Sequence, residues 1–228
     1  MKIHDCKQYS PEWFRLRRGV PTASEFCRIV TAAKWELASG RQTYINELIA
    51  DKFCPWYGCV DDYVSEAMRH GSEMEPTARR YYEFDRNCTV NECGFITTDD
   101  ERFGYSPDGL VGDDGLIELK SPKHHTHVAW LRAGVVPPEH LAQCHGGLIV
   151  SERAYIDFMS YAEGLPPLVV RVTPDEKTEK LRTALDVFWD EYQAALAKVN
   201  GMFTPLPTRE VVTPIGTYTE EIYQESYW

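Results

Sequence analysis

Residues 104–122 constrain the fold of this chain more than any other part of it. Two short strand-like runs, residues 103–111 and 116–121, flank the turn-forming sequence Gly112-Asp-Asp-Gly115. Two strand-like runs separated by such a turn are typical of a β-hairpin. The segment therefore predicts a pair of adjacent antiparallel strands in the middle of the chain.

Charged residues on this hairpin are spaced so that they can converge. Glu118 and Lys120 are two residues apart, so their side chains leave one face of the strand while Leu119 points to the other. Asp108 follows a Ser-Pro dipeptide, which predicts a rigid bend, and lies across the hairpin from Glu118. The hairpin is therefore expected to bring two carboxylates and a lysine together.

Two interpretations of this cluster are open. Two carboxylates and the Leu119 carbonyl make a hard oxygen site suited to magnesium or manganese. Lys120 beside the cation would orient or deprotonate an attacking water, or stabilise negative charge in the transition state. The alternative is an exposed cross-strand ion pair on a surface hairpin. The apolar neighbours of Glu118 and Lys120 favour the first interpretation, because an idle buried charge pair is costly.

Hydrophobic periodicity predicts a mixed α/β chain of one domain, residues 1–228. We divide it into a helical N-terminal part (1–64), a catalytic core (65–173), a long helix (174–201) and a tail (202–228). One predicted helix starts at Thr22 with a capping box, and another covers 65–85 with an interruption or kink near Gly71 and Pro76. The other predicted helices span 42–53, 125–133, 138–151 and 174–200. Predicted strands are 90–98, 103–111, 116–121, 154–161 and 167–173.

The sequence resembles the PD-(D/E)xK nucleases, and within them the phage lambda exonuclease and YqaJ-like viral recombinase family. Four blocks between residues 13 and 148 carry the resemblance. They are Trp13-Phe-Arg-Leu-Arg17-Arg-Gly19-Val with Thr22-Ala-Ser24-Glu25, His70-Gly71 with Glu75 and Ala78-Arg79, Ser106-Pro-Asp-Gly-Leu with Glu118-Leu-Lys-Ser-Pro122, and His140-Leu-Ala-Gln143-Cys-His145. The resemblance implies a restriction-endonuclease-like core, with a mixed central sheet flanked by helices.

The resemblance also implies a role for individual residues. It makes Asp108, Glu118 and the Leu119 carbonyl metal ligands, Lys120 the catalytic lysine, Glu75 an acid serving a second metal or its water, and Gln143 a group that positions the nucleophile or scissile phosphate. It makes Arg17, Ser24 and Ser106 contacts to a 5′-phosphate, and Met68 a wedge between the terminal base pairs.

Several of these roles have structural alternatives. Glu73 competes with Glu75, because two residues apart on a helix face nearly opposite ways. Met68 fits a plain helix core equally well, and Arg17 fits a solvated helix end. The family's second glutamine is His145 here, and its basic residue shortly after the lysine has no clean match.

The function that the resemblance implies is a Mg2+-dependent 5′→3′ exonuclease that digests one strand of linear duplex DNA to mononucleotides and leaves a 3′ overhang. It implies two ions, with Mn2+ as a substitute, a ring-shaped homotrimer and a single-strand annealing protein as partner. The net charge of −11 opposes DNA binding by the average field. A basic channel lining would resolve this conflict, and the candidates are Arg15, Arg17, Arg18, Arg28 and Arg41.

Two other functions are considered: a site-specific or structure-specific endonuclease on the same core, and a non-enzymatic zinc-binding or DNA-end-binding scaffold. The pairs Cys54-x4-Cys59 and Cys88-x4-Cys93 are wider than usual zinc spacings, which favours free thiols. No secretory signal or membrane span is evident, so a cytoplasmic location is expected. The aromatic, acidic segment 215–228 is either disordered or docked on its own body or a neighbouring subunit, and we favour docking.

Overall fold

A computed structural model describes residues 1–54 and 66–202, together with the backbone of two strands, Thr208–Thr213 and Gly216–Glu221. The side chains that it describes are those of residues 1–54 and 73–202. The chain divides into two compact units, Met1–Glu191 and Tyr192–Trp228.

The first unit contains both strands and helices. The strands are β1 Lys2–His4, β2 Val90–Asn91, β3 Phe95–Thr97, β4 Gly104–Tyr105, β5 Gly109–Val111, β6 Gly115–Lys120, β7 Tyr155–Ser160 and β8 Leu168–Val172. The helices are α1 Pro11–Arg17, a 3-10 helix Ala23–Arg28, α2 Arg41–Phe53, α3 Glu66–Arg86, α4 His124–Ala133, α5 Pro138–Ser151 and α6 Glu176–Asn200. Helix α6 continues into the second unit, where Thr208–Thr213 (β9) and Gly216–Glu221 (β10) form an antiparallel pair.

A five-stranded mixed sheet in the order β2-β5-β6-β7-β8 forms the centre of the first unit. Strands β6 and β7 are parallel, because α4 and α5 carry the chain back between them, and the other pairs are antiparallel. A second, three-stranded antiparallel sheet has the order β1-β3-β4. The predicted fold class, a mixed central sheet flanked by helices, is confirmed.

The predicted hairpin is present, and its turn depends on glycine. Strands β5 and β6 pair antiparallel around residues 112–114, and Gly112 has a φ of +55°, a conformation that residues with a Cβ rarely adopt. The predicted strand 103–111 is divided into β4 and β5. The break lies at Ser106-Pro107, where proline has no N–H to donate to a neighbouring strand.

Helix α5 packs closely against the 3-10 helix and against β3, β4 and β7. The contact needs glycine, since a Cβ at Gly146 would lie 2.4 Å from the Phe26 ring and one at Gly147 would lie 2.9 Å from the Tyr105 ring. Gln143 lies one turn before Gly147 on the same helix face. The close approach at Gly147 therefore brings Gln143 near the sheet.

Three local predictions differ from the structure. Thr22 begins a short 3-10 helix rather than an α-helix, and its side chain does not cap that helix; it contacts Arg17 and Ser24 instead. Helix α3 is continuous through Gly71 and Pro76, so of the predicted interruption or kink the interruption is wrong. The β9–β10 pair was not predicted, since its segment was interpreted as an irregular tail.

Among the described helices, none combines the length and hydropathy needed to cross a bilayer.

Candidate active site

The Ser-Pro bend places Asp108 immediately before β5, facing the middle of β6. Its Oδ2 accepts a hydrogen bond from the backbone N–H of Leu119 at 2.6 Å. Burial raises the pKa of Asp108 well above its usual range, and the negative charge of Glu118 raises it further. Asp108, partly buried, and Glu118, buried, thus form a pair of acidic groups at the hairpin.

Glu118 is the centre of the cluster, with only 1% of its surface exposed. Its Oε1 accepts from Lys120 Nζ and from Gln143 Nε2, both at 2.6 Å. Its Oε2 accepts from the hydroxyl of Tyr105 at 2.7 Å. Donors from β4, β6 and α5 therefore converge on this one carboxylate and set its orientation.

Lys120 is held in its charged form. Burial alone would lower the pKa of its ammonium group, but the carboxylates of Glu118 and Asp108 outweigh that effect and the net pKa is raised. As a cation, Lys120 is suited to orienting water or stabilising developing negative charge. To remove a proton from water it would first have to lose its own.

Glu75 reaches the same cluster from α3. Its side chain is partly buried, whereas Glu73 is exposed, so the structure favours Glu75 of the two rivals. Burial raises the pKa of Glu75, although its ion-pair partner Arg79 opposes the rise. Arg79 also donates to the carbonyl of Asp108 at 3.0 Å, which ties α3 to the bend. Glu75, Arg79 and Asp108 line a cleft of about 560 Å³.

The donor set fits one type of metal ion better than others. Within the described side chains, no three His, Cys, Asp or Glu groups cluster as a metal cage would require. Mg2+ does not need such a cage, because it commonly binds through one or two carboxylates and keeps several water ligands. Asp108 and Glu118 supply these oxygens, and a cation would relieve their repulsion. The residues present therefore fit a hydrated divalent cation.

A second polar cluster is centred on Arg17, at the end of α1. Its guanidinium donates to Ser106 Oγ at 3.1 Å and to Thr22 Oγ1 at 3.4 Å, and it lies 4.2 Å from the centre of the Trp13 ring. The hydroxyl of Ser24 lies 3.2 Å from Thr22 Oγ1. Burial lowers the pKa of Arg17, and among the described residues no carboxylate forms an ion pair with it. This largely buried cation is therefore suited to an external anion.

Comparison with known families follows from this geometry. Residues 12–154 match the family model of the YqaJ-like viral recombinase domain. The chain belongs to this family. Comparison with curated proteins gives no significant match.

Solved structures resemble this YqaJ-like protein over most of its length. An alkaline exonuclease from Laribacter hongkongensis, LHK-Exo, is 33% identical, with a TM-score of 0.74 over 84% of this chain and 97% of that chain. The same enzyme in complex with dAMP gives 32% identity and a TM-score of 0.73 over the same shares. A phage-related exonuclease from Haemophilus somnus 129PT, 14% identical over 82% of this chain and 99% of that chain with a TM-score of 0.59, shares the fold.

The structure groups the predicted site residues of the YqaJ-like domain into two neighbouring clusters. Ser106 belongs to the cluster at Arg17, Asp108 belongs to the cluster at Glu118, and only Pro107 separates them. The cluster at Arg17 contains Ser24 and Ser106, and the cluster at Asp108 contains Glu75, Glu118, Leu119, Lys120 and Gln143. The side chain of Met68, the predicted wedge, lies outside the described residues, as does most of segment 215–228.

The proposed basic lining is weaker than its composition suggested. Arg15 is paired with Glu12, Arg28 with Glu47 and Glu25, and Arg41 with Glu191. These carboxylates cancel much of the positive charge that a DNA backbone would meet. Of the five arginines, Arg17 combines burial with hydroxyl partners and no described carboxylate partner.

The cysteines do not form a zinc site in the described part of the chain. Cys54, Cys88 and Cys93 are free thiols there, and Cys59 lies outside the described residues. Burial raises the pKa of Cys93 to about 11, so this thiol stays protonated and is a poor metal ligand.

Sequence analysis missed three residues of the site. Tyr105 and Arg79 lie in or next to the segments that carry the family resemblance. No local sequence pattern shows that Tyr105 bonds Glu118, or that Arg79 bonds the Asp108 carbonyl, across the fold. His140 stacks on Phe158 with 5.5 Å between ring centres. Its pKa is lowered to about 4 by burial and by the charge of Lys120, so its imidazole is neutral. The His140–Gln143 motif was the available signal for a site residue on α5.

Proposed function

We propose that this protein is a metal-dependent exonuclease that digests one strand of linear double-stranded DNA from its 5′ end. The observation that carries the proposal is the proximity of two clusters through Ser106-Pro107-Asp108: an arginine suited to a phosphate, and a carboxylate pair suited to Mg2+. The relative LHK-Exo is described as an alkaline exonuclease and was solved with dAMP, a nucleoside monophosphate of the kind that such digestion releases.

Asp108 and Glu118 would hold the cation, with the Leu119 carbonyl as a further ligand. When bound, the metal would supply an activated water and neutralise charge on the scissile phosphate. Lys120 is placed to donate to a phosphate oxygen or to orient the water, and Gln143 to keep Glu118 in position. Glu75, across the cleft, would bind the water shell of a second ion.

The Arg17 cluster accounts for the end preference in this proposal. A terminal 5′-phosphate carries an additional negative charge, and a guanidinium flanked by hydroxyls binds it through charge-assisted hydrogen bonds. Ser106 Oγ accepts from Arg17 at that cluster, and Asp108 follows two residues later in the chain. A strand anchored by its 5′-phosphate would therefore present its first internal phosphodiester to the carboxylates.

The remaining parts of the proposal rest on the family resemblance. They are mononucleotide release, a 3′ overhang used in recombination by strand annealing, a homotrimeric ring, a single-strand annealing partner and activity in the cytoplasm of a bacterial host. A ring would concentrate local contacts such as Arg17 inside a channel while the acidic exterior, net charge −11, faces solvent.

One assay tests the central claim. Linear duplex DNA with 5′-phosphate ends and a covalently closed duplex of the same sequence are incubated with protein in Mg2+, Mn2+ or EDTA. We expect linear DNA alone to be digested, only with metal, and from the labelled 5′ end first. Cleavage of the closed duplex would instead identify an endonuclease. Bound zinc without metal-dependent digestion would identify the scaffold alternative.

A further inference from the structure

Tyr9 adopts a backbone conformation that tyrosine seldom takes. Its φ is +63°, in the left-handed region where a Cβ is crowded by the neighbouring carbonyl. Its side chain is nevertheless 64% exposed, so burial in the core does not compensate for the unfavourable backbone. A strained residue with a large exposed side chain is a candidate for a binding contact.

The residues on either side of Tyr9 are anchored, which explains how the strain persists. The amide of Gln8 donates to the carbonyls of Cys93, at 3.0 Å, and Pro107, at 2.9 Å. Ser10 caps α1 by accepting from the N–H of Trp13, and its own N–H donates to the Lys7 carbonyl. Because Gln8 bonds the carbonyl next to Asp108, the position of Tyr9 is tied directly to the candidate active site.

Tyr9 is linked to both clusters of the site. It lines the cleft together with Glu75 and Asp108. Its centre is 5.1 Å from that of Trp13, whose indole N–H donates to Ser106 Oγ at 2.8 Å. Tyr9 thus shares the cleft with the carboxylates and contacts Trp13, which is hydrogen-bonded to Ser106 of the Arg17 cluster.

We propose that Tyr9 is the stacking platform for the base of the 5′-terminal nucleotide of the strand that is digested. This inference rests on the proposed function, in which that nucleotide lies between a phosphate at Arg17 and a phosphodiester at Asp108. Every base has a π-face, so stacking on one tyrosine tolerates any sequence, as an exonuclease requires. The hydroxyl-bearing ring keeps its edge in water while one face is covered.

A thermodynamic cycle separates stacking from a general loss of structure. The variants are Tyr9→Gly and Tyr9→Asn, which both tolerate a positive φ, and Tyr9→Phe, which keeps the ring. Phe84→Ala is the matched control, because Phe84 is a 90% exposed aromatic outside the cleft lining. Affinity is measured in Ca2+ for a 5′-phosphorylated duplex whose terminal nucleotide either carries adenine or is abasic.

We expect Tyr9→Gly and Tyr9→Asn to bind the adenine end roughly tenfold more weakly than wild type, a loss of about 1.4 kcal/mol that falls in the range for one stacked base. Tyr9→Phe and Phe84→Ala should stay within about twofold, and all proteins should bind the abasic end alike. Melting temperatures of the glycine and asparagine variants should equal or exceed that of wild type, since strain is removed.

Three results would overturn the inference. Equal affinity of Tyr9→Gly and wild type for the adenine end would exclude stacking. An equal loss on adenine and abasic ends would assign the effect to the backbone near Asp108. A change of molecular mass in Tyr9→Gly by light scattering would assign the ring to a contact between copies of the chain. If wild type does not prefer linear over closed duplex, the proposed function itself is refuted. This measurement needs no variant, so it is distinct from the three results above.

Discussion

Replacing Tyr105 by Phe tests whether the fold orients the metal-binding carboxylate. The substitution keeps the ring packed against Gly147 and removes only the hydroxyl that donates to Glu118 Oε2 at 2.7 Å. Tyr105 is fully buried and its pKa is raised well above its usual value, chiefly by burial and by Glu118, so the hydroxyl is a donor throughout the neutral and alkaline range. One carboxylate oxygen of Glu118 would be left without this partner.

The expected loss follows from the type of bond. A buried hydrogen bond to a charged group contributes about 1.5–3 kcal/mol. For a domain of this size each kcal/mol shifts the melting temperature by about 2–4 °C, so Tyr105→Phe should melt roughly 3–12 °C lower. Partners that orient a metal ligand typically change metal affinity by about 10–100-fold. We therefore expect the half-saturating Mg2+ concentration to rise by at least about tenfold.

Tyr82→Phe provides the matched control on the same sheet. The Tyr82 hydroxyl donates to Asp157 Oδ2 at 2.6 Å, and Asp157 is also paired with Arg171 at 2.8 Å. Asp157 is the strand partner of Ile117, so its side chain lies on the opposite face of the sheet from that of Glu118. Both variants lose a buried phenol–carboxylate bond, so both should lose stability by a similar amount. Only Tyr105→Phe should lower the affinity for the metal ion.

The assay combines thermal unfolding in EDTA with Mn2+ binding by calorimetry in the absence of DNA, and with digestion rates over a Mg2+ titration. Equal melting temperatures and unchanged metal affinity in Tyr105→Phe would refute the orienting role. Equal weakening of metal binding in both variants would show that general destabilisation, not the contact to Glu118, is responsible.

Three further predictions concern charge and the second unit. Asp108→Asn should abolish digestion but stabilise the metal-free protein at neutral pH, because a carboxylate with a raised folded pKa costs stability once pH exceeds its unfolded value of about 3.9. Calorimetry should show wild type gaining more stability than this variant as pH falls from 7 towards 4, and equal profiles would contradict the reasoning. Arg17→Ala should digest 5′-phosphate and 5′-hydroxyl ends at equal rates, whereas wild type should prefer the phosphate by at least about tenfold, as expected for a lost charge-assisted contact. If the segment docks on protein, deleting residues 215–228 should lower the melting temperature or change the mass measured by light scattering. An unchanged melting temperature together with an unchanged mass would refute docking.

Local rules account for the parts of this protein that the sequence predicted well. The hairpin turn follows from Gly112, whose left-handed backbone is strained for other residues. The shared face of Glu118 and Lys120 follows from strand geometry, and the two side chains do meet at 2.6 Å. Each of these inferences involves residues a few positions apart, where the backbone period alone sets the geometry.

The same local reasoning failed where a distant partner competed for a group. Thr22 has the pattern of a capping residue, yet its hydroxyl contacts Arg17 and Ser24. The strand predicted at 103–111 is divided because Pro107 cannot pair, and its carbonyl is taken by Gln8 from the N-terminal segment. Propensity describes what a segment can do alone, and a stronger tertiary bond decides what it does.

Only the tertiary structure determined how the site is assembled. Glu118 receives Tyr105 from β4 and Gln143 from α5, residues 13 and 25 positions away in the chain. Neither contact has a sequence period, because both depend on how closely α5 packs on the sheet through Gly147. The sequence by itself determined which chemical groups are available, two carboxylates and a lysine on one hairpin. The packing determined which donors reach them, since hydrogen bonds require positions set to a few tenths of an ångström by the whole fold.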